Sequence, residues 1–304
     1  MKKILYVIFL VLFTLIILYF KGNIANYLTN EIVLPSKDKE PVKINYNDYK
    51  YDDWLFVHNV TDFTAYKYED FNNIFYTILN SGEKEFSFNC ADTYQSCKDD
   101  VQNYINTDET LGNINNLVHP YNSFKNIQVT ITSHGKVTIV VDHIYDDEQI
   151  KYVNNEIENF INNNINNSMS DNDKIKAFHD YIINNTKYDQ DVKTDEEKIL
   201  LSSYNAYGLL TNKKAICGGY TDTLAIYLNM LGYKNYRIAT NEHIWNLVNV
   251  NGEYLHIDAT WDDPVTSNGS DQLLHDFFLI NTTTLHSKDP SEHNYNTNIY
   301  LEAK

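Results

Sequence analysis

Residues 215–232 read AICGGYTDTLAIYLNMLG, and residues 241–264 read NEHIWNLVNVNGEYLHIDATWDDP. The second segment predicts a β-hairpin, because Asn251-Gly252 lies between two runs of alternating apolar residues. Asn-Gly in this setting is the strongest short-range signal for a two-residue type I′ turn. The fold of the surrounding chain therefore follows from one antiparallel pair of strands and the helix before it.

The two-residue turn also fixes which residues face each other across the hairpin. Counting back from the turn pairs Asn246 with Ile257 and sets Trp245 opposite Asp258. Side chains alternate between the faces of a strand, so His243 lies on the face of Trp245. His243 and Asp258 are then diagonal neighbours, about 7–8 Å apart at the backbone and within reach by side chain. The opposite face is apolar and predicted to be core: Ile244, Val248, Val250, Leu255, Ile257 and Ala259.

Cys217 falls at the start of the predicted helix. The helix is indicated by apolar residues at helical spacing, namely Tyr220, Leu224, Tyr227, Leu228 and Leu231, with Gly232 as its end. Free backbone N–H groups and the positive end of the helix dipole favour a thiolate at this position. Gly218 and Gly219 allow a substrate or a strand to approach the helix start closely.

Cys217, His243 and Asp258 together have the chemistry of a nucleophile, its base and the group that orients the base. The backbone N–H of Cys217 is a candidate donor to an oxyanion. His256 shares the face of Asp258 but is displaced along the strand, which indicates a supporting role. The candidate substrate-lining residues are Gly218, Gly219, Tyr220, Trp245 and Trp261.

Three motifs in this region resemble those of the transglutaminase-like superfamily, a branch of the papain-like cysteine enzymes. They are CGGYTDT at residues 217–223, HIWN at 243–246 and DATWDDP at 258–264. Weaker similarities are KAFHDYI at 176–182, NAYGLL at 205–210 and FFLI at 277–280. The resemblance covers roughly residue 170 to the C-terminus. The sequence departs from the family pattern at Gly218, Thr221 and Thr223, beside the nucleophile, which bears on substrate choice.

The resemblance implies an α+β fold, papain-like, in which the helix that carries the cysteine packs on an antiparallel sheet. It also implies acyl transfer on amide bonds through an acyl-thioester, without a cofactor. The thioester is resolved by an amine, as in a transglutaminase, or by water, as in a peptidase or amidase, and the sequence leaves both open. The expected substrate is a protein or peptide, cell-wall peptide included.

Two alternatives to this enzyme remain at the level of the sequence. One is a catalytically idle module that keeps the fold and binds or scaffolds the cell envelope. The other is a zinc site built from Cys217, His243, His256 and Asp258, which lacks the paired ligand spacing of known zinc motifs. We therefore predict no metal.

Along the whole chain of 304 residues the sequence indicates four segments. They are a membrane anchor or signal peptide at 1–21, a linker at 22–45, a smaller α+β accessory domain at 46–167 and the catalytic domain at 168–304. The first segment has Lys2-Lys3 before an apolar run at residues 4–20, which predicts export of the remaining chain, as a single-pass membrane protein or, after cleavage, a secreted one. The net charge of −17 and a single arginine, Arg237, argue against nucleic acid as a partner.

The three cysteines divide into a neighbouring pair and one distant residue. In an exported chain Cys90 and Cys97 are expected to form a disulfide, which leaves Cys217 as the reactive thiol. The C-terminal tail is polar, and only part of it is expected to be ordered.

Overall fold

Helices and short strands follow one another along the chain in the computed structural model, which describes residues 43–190, 203–265 and 272–304. The helices are α1 (Asp70–Ser81), α2 (Cys97–Ile105), α3 (Asp108–Asn116), α4 (Asp147–Asn164), α5 (Asp171–Asn185), α6 (Ala206–Asn212), α7 (Cys217–Met230) and α8 (Thr282–Lys288). The strands are β1 (Thr64–Ala65), β2 (Glu85–Cys90), β3 (Phe124–Ile131), β4 (Lys136–His143), β5 (Lys187–Tyr188), β6 (Lys214–Ala215), β7 (Asn235–Ala239), β8 (Ile244–Val250), β9 (Glu253–Ile257) and β10 (Phe278–Ile280).

The predicted hairpin forms the middle of an antiparallel sheet with the strand order β10-β9-β8-β7. Asn251 and Gly252 both have positive φ, 54° and 93°, as a type I′ turn requires. The register is the predicted one, with Val250 paired to Glu253 and Asn246 paired to Ile257. The turn therefore decides which side chains point to each face of the sheet.

Helix α7 packs on one face of this sheet, which confirms the fold predicted for the cysteine-bearing helix. The shared core combines sheet residues such as Val248 and Ile257 with Leu224 and Tyr227 of α7. Helices α4, α5 and α6 complete this core on the other side of α7 with the buried residues Val153, Ile157, Phe160, Ile175, Phe178, Ile182, Leu209 and Leu210. At one point Phe178 and Tyr227 stack with ring centroids 4.0 Å apart.

A second sheet, with the order β1-β2-β4-β3, belongs to the earlier half of the chain. Its main pairings, β2 with β4 and β3 with β4, are antiparallel, and the short β1 runs parallel to β2. Helix α1 ends at Gly82, whose φ of 74° is the left-handed conformation of a helix C-cap. Cys90 at the end of β2 and Cys97 at the start of α2 are joined by a disulfide bond, and Cys217 is a free thiol.

The sequence boundary drawn at residue 168 falls inside one compact unit that spans Lys43–Lys304. Helix α4 lies before this boundary, yet its apolar face belongs to the core that surrounds α7. The earlier half and the later half are therefore packed together along a continuous hydrophobic interface.

Arg237 forms hydrogen bonds with both halves of the chain where they pack together. It lies on β7 with 4% of its surface exposed and donates from Nη1 to Asp222 of α7 over 2.7 Å. Its Nη2 donates to Ser123 Oγ at 2.6 Å and to the carbonyl oxygens of Asn115 and Val118 in the earlier half. One guanidinium group thus joins the cysteine-bearing helix, the sheet, the end of α3 and the loop before β3.

The predicted export segment at residues 1–21 and most of the predicted linker at 22–45 lie outside the described residues. Within the described part of the chain, no helix combines the length and the apolar character needed to cross a membrane.

We expect Arg237→Met to destabilise the fold by roughly 3–5 kcal/mol, because it leaves the buried Asp222 carboxylate without its cation. Urea unfolding of the variant checks this value. The matched control is Lys125→Met, which removes an exposed ion pair to Asp142 and should cost less than about 1 kcal/mol. Equal unfolding midpoints for the two variants would show that Arg237 does not hold the halves together.

Candidate active site

His243 and Asp258 lie at the open end of the β8–β9 hairpin, one residue outside each strand. The hairpin register continues past the strand ends and brings the two side chains together, with His243 Nε2 2.5 Å from Asp258 Oδ2. Both side chains are buried. The contact predicted from the hairpin is thus present in the structure.

Cys217 is the first residue of α7 and is partly exposed. Its thiol lies close enough to the His243 ring to raise the pKa of that ring, and both residues line one cleft. Because Asp258 engages Nε2, the nitrogen that remains for the thiol is Nδ1. The start of α7 carries the thiol, the residue before β8 carries the imidazole and the residue after β9 carries the carboxylate. The fold therefore brings these three groups together.

Asp258, His243 and Cys217 change one another's tendency to hold a proton. Burial lowers the pKa of His243, but the Asp258 carboxylate and the Cys217 thiol outweigh burial and raise that pKa to about 10. Burial raises the pKa of Asp258, and its contacts with His243 and His293 overcome this effect and hold the pKa below its usual range. Asp258 is therefore an ionised carboxylate, and it favours the protonated form of His243.

The backbone after β9 also fixes Asp258. Its Oδ1 accepts hydrogen bonds from the N–H groups of Thr260 at 2.9 Å and Trp261 at 3.1 Å. Because Oδ1 is held by the turn, Oδ2 is presented to His243. This explains why the DATW segment follows directly on the strand.

A cleft of about 440 Å³ opens over Cys217 and His243. Trp261 and Tyr188 lie in its lining, as do three carboxylate side chains, Glu242, Asp263 and Glu292. Of the candidate substrate-lining residues, Trp261 lines this cleft, and its contact with a substrate stays a prediction.

The other four predicted lining residues are buried and contact protein rather than the cleft. A methyl group on Gly218 would lie 2.8 Å from the carbonyl oxygen of Tyr204, and one on Gly219 would lie 2.7 Å from that of Ser203. The two glycines therefore admit the segment before α6 to the helix start, and neither lies in the lining of the cleft.

Tyr220 donates its hydroxyl to Asp263 at 2.5 Å. Trp245 is fully buried, and its indole Nε1 donates to His256 Nδ1 at 3.1 Å. These partners hold both rings in the interior, which corrects their assignment to the substrate lining.

His256 has the supporting role expected from its place along the strand. It pairs with Leu247, accepts from Trp245, and contacts Thr282 Oγ1 through Nε2 at 2.9 Å. Burial lowers its pKa to about 3, so it is neutral. With both ring nitrogens engaged, His256 does not complete a zinc site with Cys217.

Two groups in the described part of the chain place three potential ligand atoms within 4.8 Å of one another: His179, Asp180 and His275, and His243, Asp258 and His293. In both groups ring nitrogens lie at hydrogen-bonding distance from a carboxylate, 2.5–3.1 Å. These are the distances of direct hydrogen bonds, and we assign neither group as a metal site.

His293 was missed by sequence reasoning. Its Nε2 lies 2.9 Å from Asp258 Oδ2, the same oxygen that His243 contacts. It belongs to the polar tail, which the structure describes in full from residue 272 to 304, with α8 within it. Tail residues carry no periodicity, and 35 positions separate His293 from Asp258, so no local pattern could reveal the contact.

The sequence was compared with known families and structures. The model of the Transglutaminase-like superfamily matches residues 158–259, about a third of the chain, and this segment contains Cys217, His243 and Asp258. No curated protein matches the sequence. The described α+β fold agrees with this family match.

Two solved structures are similar to parts of the chain. One is described as a TGase, with 19% identity, a TM-score of 0.32 and 45% of each chain covered. The other is a candidate cysteine protease from Cytophaga hutchinsonii, with 14% identity, a TM-score of 0.28, and 49% of this chain and 65% of that chain covered. The chain thus spans less than two thirds of the length of either.

We expect Gly218→Ala to destabilise the protein by about 1–3 kcal/mol, because the new methyl group meets the Tyr204 backbone. The matched control is Gly112→Ala in α3, where no atom lies within 4 Å of the added methyl. That change should stabilise the helix by about 0.5–1 kcal/mol. Thermal melting of both variants checks the pair, and a Gly218→Ala protein as stable as wild type would contradict the close approach.

Proposed function

We propose that the chain is a cysteine-nucleophile enzyme that transfers acyl groups from amide bonds through an acyl-thioester. The observation that carries this proposal is the continuous contact from Cys217 to His243 and on to Asp258, open to a cleft. The match of residues 158–259 to the Transglutaminase-like superfamily supports it. In this proposal Cys217 is the nucleophile, His243 its base and Asp258 the orienting group.

The reaction begins with transfer of the thiol proton of Cys217 to His243. Asp258 holds the imidazole through Nε2 and stabilises its charged form, so that Nδ1 faces the sulfur. The thiolate attacks the amide carbonyl carbon. The backbone N–H of Cys217, in the first turn of α7 where such groups have no partner within the helix, donates to the oxyanion.

His243 then returns its proton to the leaving nitrogen as the C–N bond breaks, and an acyl-thioester on Cys217 remains. An amine or water attacks this thioester, with His243 again accepting a proton, and the thiol is restored. The amine gives a transglutaminase and water gives a peptidase or amidase. The proposed substrates are proteins or peptides, including the peptides of a cell wall.

We further propose that this chemistry takes place outside the cytoplasm. The support is the pair of lysines before the apolar run at residues 4–20 and the disulfide between Cys90 and Cys97, a bond that is typical of oxidising compartments. A reporter fused after Lys304 should be active only in its exported form. Activity confined to a cytoplasmic reporter would contradict the proposed location.

We expect Cys217→Ala to abolish covalent labelling by an electrophilic thiol probe and to abolish activity, while the fold survives. His243→Ala should cost nearly as much activity, because a nucleophile and its base act as a unit. Asp258→Asn should lower kcat by about 10²–10⁴-fold, since it removes the charge that steadies the imidazolium. Mass spectrometry of the labelled chain and turnover assays measure these effects.

The assay supplies a glutamine-containing peptide or a cell-wall peptide with and without a primary amine, and follows ammonia release and hydrolysis. Incorporation of the amine identifies a transglutaminase, and hydrolysis alone identifies a peptidase or amidase. Ile257→Ala is the stability control, because it lies in the core and should cost about 2–5 kcal/mol without removing the labelling. A wild-type chain that is inert to the probe would favour the idle module instead.

A further inference from the structure

His293 is fully buried, and each of its ring nitrogens faces a carboxylate. Nε2 lies 2.9 Å from Asp258 Oδ2, and Nδ1 lies 2.8 Å from Asp289 Oδ2. The ring also stacks on Phe277, with centroids 5.3 Å apart and planes inclined by 15°. The two carboxylates and the Phe277 ring therefore fix the position and the orientation of the imidazole.

Both partners of this ring are hydrogen-bond acceptors. Burial raises the pKa of Asp289, but hydrogen bonds from Ser291, His293 and Glu292 outweigh burial and hold it below its usual range. The pKa of Asp258 is likewise held below its usual range. An ionised carboxylate only accepts hydrogen bonds, so this geometry suits a ring that carries a hydrogen on each nitrogen. His293 thus lies buried between two carboxylates that can each accept from it.

We propose that His293, held by Asp289 and carrying a proton on both ring nitrogens, is a positioning residue that fixes the Asp258 carboxylate against His243 and shares its negative charge. This inference rests on the proposed function of Cys217. Asp258 Oδ2 has two imidazole partners, at 2.5 Å and 2.9 Å, while the turn holds Oδ1. His293 therefore completes the set of donors around this carboxylate.

The charge that His293 shares with Asp258 affects how easily His243 releases its proton. His243 must accept a proton from the thiol and later release it to the leaving nitrogen. A lone buried Asp258 would hold that proton too tightly. The His293 and His243 rings meet edge to face with centroids 5.2 Å apart, so the cation of His293 opposes the charging of His243 and eases the release.

Several other titratable groups lie near His293 and His243. His256 and His286 are the remaining histidines near His293: His256 is neutral, and His286 contacts only its carbonyl oxygen, at 3.1 Å. The groups near His243 in the cleft are Cys217, Tyr188, Asp263, Glu242 and Glu292. None of these lies between the His293 imidazole and Asp258, which are in direct contact.

The tail that carries His293 is fastened independently of the site. Thr282 N donates to the carbonyl oxygen of Ala303 at 3.0 Å, and Ala303 N donates to Thr282 Oγ1 at 2.8 Å. The Thr282 hydroxyl also contacts His256 and Tyr295, at 2.9 Å each. A substitution at His293 therefore leaves the tail anchored to β9.

The experiment measures the rate at which iodoacetate alkylates Cys217 in the full chain as a function of pH. This anion reacts fastest with a thiolate beside an imidazolium, so the rate falls at high pH when His243 loses its proton. In His293→Gln an amide donor remains but the cation is gone, and the alkaline limb should move up by about one pH unit. Asp289→Asn, which weakens the hold on the cation, should move the limb in the same direction.

His293→Leu removes the donor as well as the charge, and its turnover should fall at least about 10-fold below that of the glutamine variant, with KM little changed. The control is His134→Gln on an exposed turn, which should keep the wild-type profile. Thermal melting shows that each variant folds, and Asp289→Asn tests the idea even when a His293 variant does not fold.

Wild-type alkaline limbs in folded His293→Gln and Asp289→Asn would overturn the inference and leave His293 as a packing residue. That result leaves the proposed function intact, because Cys217 is still labelled. A wild-type chain whose Cys217 does not react would instead overturn the proposed function and this inference with it.

Discussion

The ion pair between Asp222 and Arg237 is the interaction on which the arrangement of the structure depends. Two buried charges are costly unless hydrogen bonds compensate for their lost hydration, and here Arg237 Nε has no partner among the described residues while both terminal nitrogens do. Asp222 Oδ2 accepts from Tyr145 at 2.7 Å, and the same hydroxyl accepts from Ala206 N at 2.8 Å. With the contacts of Arg237 to the earlier half, this network ties α7 to β7, to α6, to the end of α3 and to the loop before β3.

That network holds α7, which begins at Cys217, against the sheet and the earlier half. The second constraint is the hairpin turn, which sets His243 and Asp258 beside each other without any help from distant residues. The candidate site therefore combines one long-range constraint, which positions the helix, with one local constraint, which positions His243 and Asp258. The sulfur meets the imidazole where these two constraints converge.

The same division explains how far the sequence could predict the structure. The hairpin register, the helix around Cys217 and the contact of His243 with Asp258 follow from turn chemistry and side-chain periodicity, which are local. The roles of Trp245 and His293 depend on which distant segments pack against them. The sequence shows that Trp245 shares the strand face of His243. Only the packed structure shows that Trp245 donates to His256 behind the cleft. The sequence shows Arg237 as the only arginine, but not that it is buried.

The charges around Asp258 bind the C-terminal tail to the active site energetically. Asp258, His293 and Asp289 form a row of hydrogen-bonded side chains whose contacts are buried. Removing His293 leaves two carboxylates without this partner in a poorly solvated place, which is more costly than losing an exposed ion pair. The tail therefore cannot leave the sheet without exposing or stranding charges beside His243. The candidate site thus combines His243 and Asp258 at the end of a local hairpin with Asp289 and His293 of the tail. The hairpin and the tail together determine the electrostatics around Asp258.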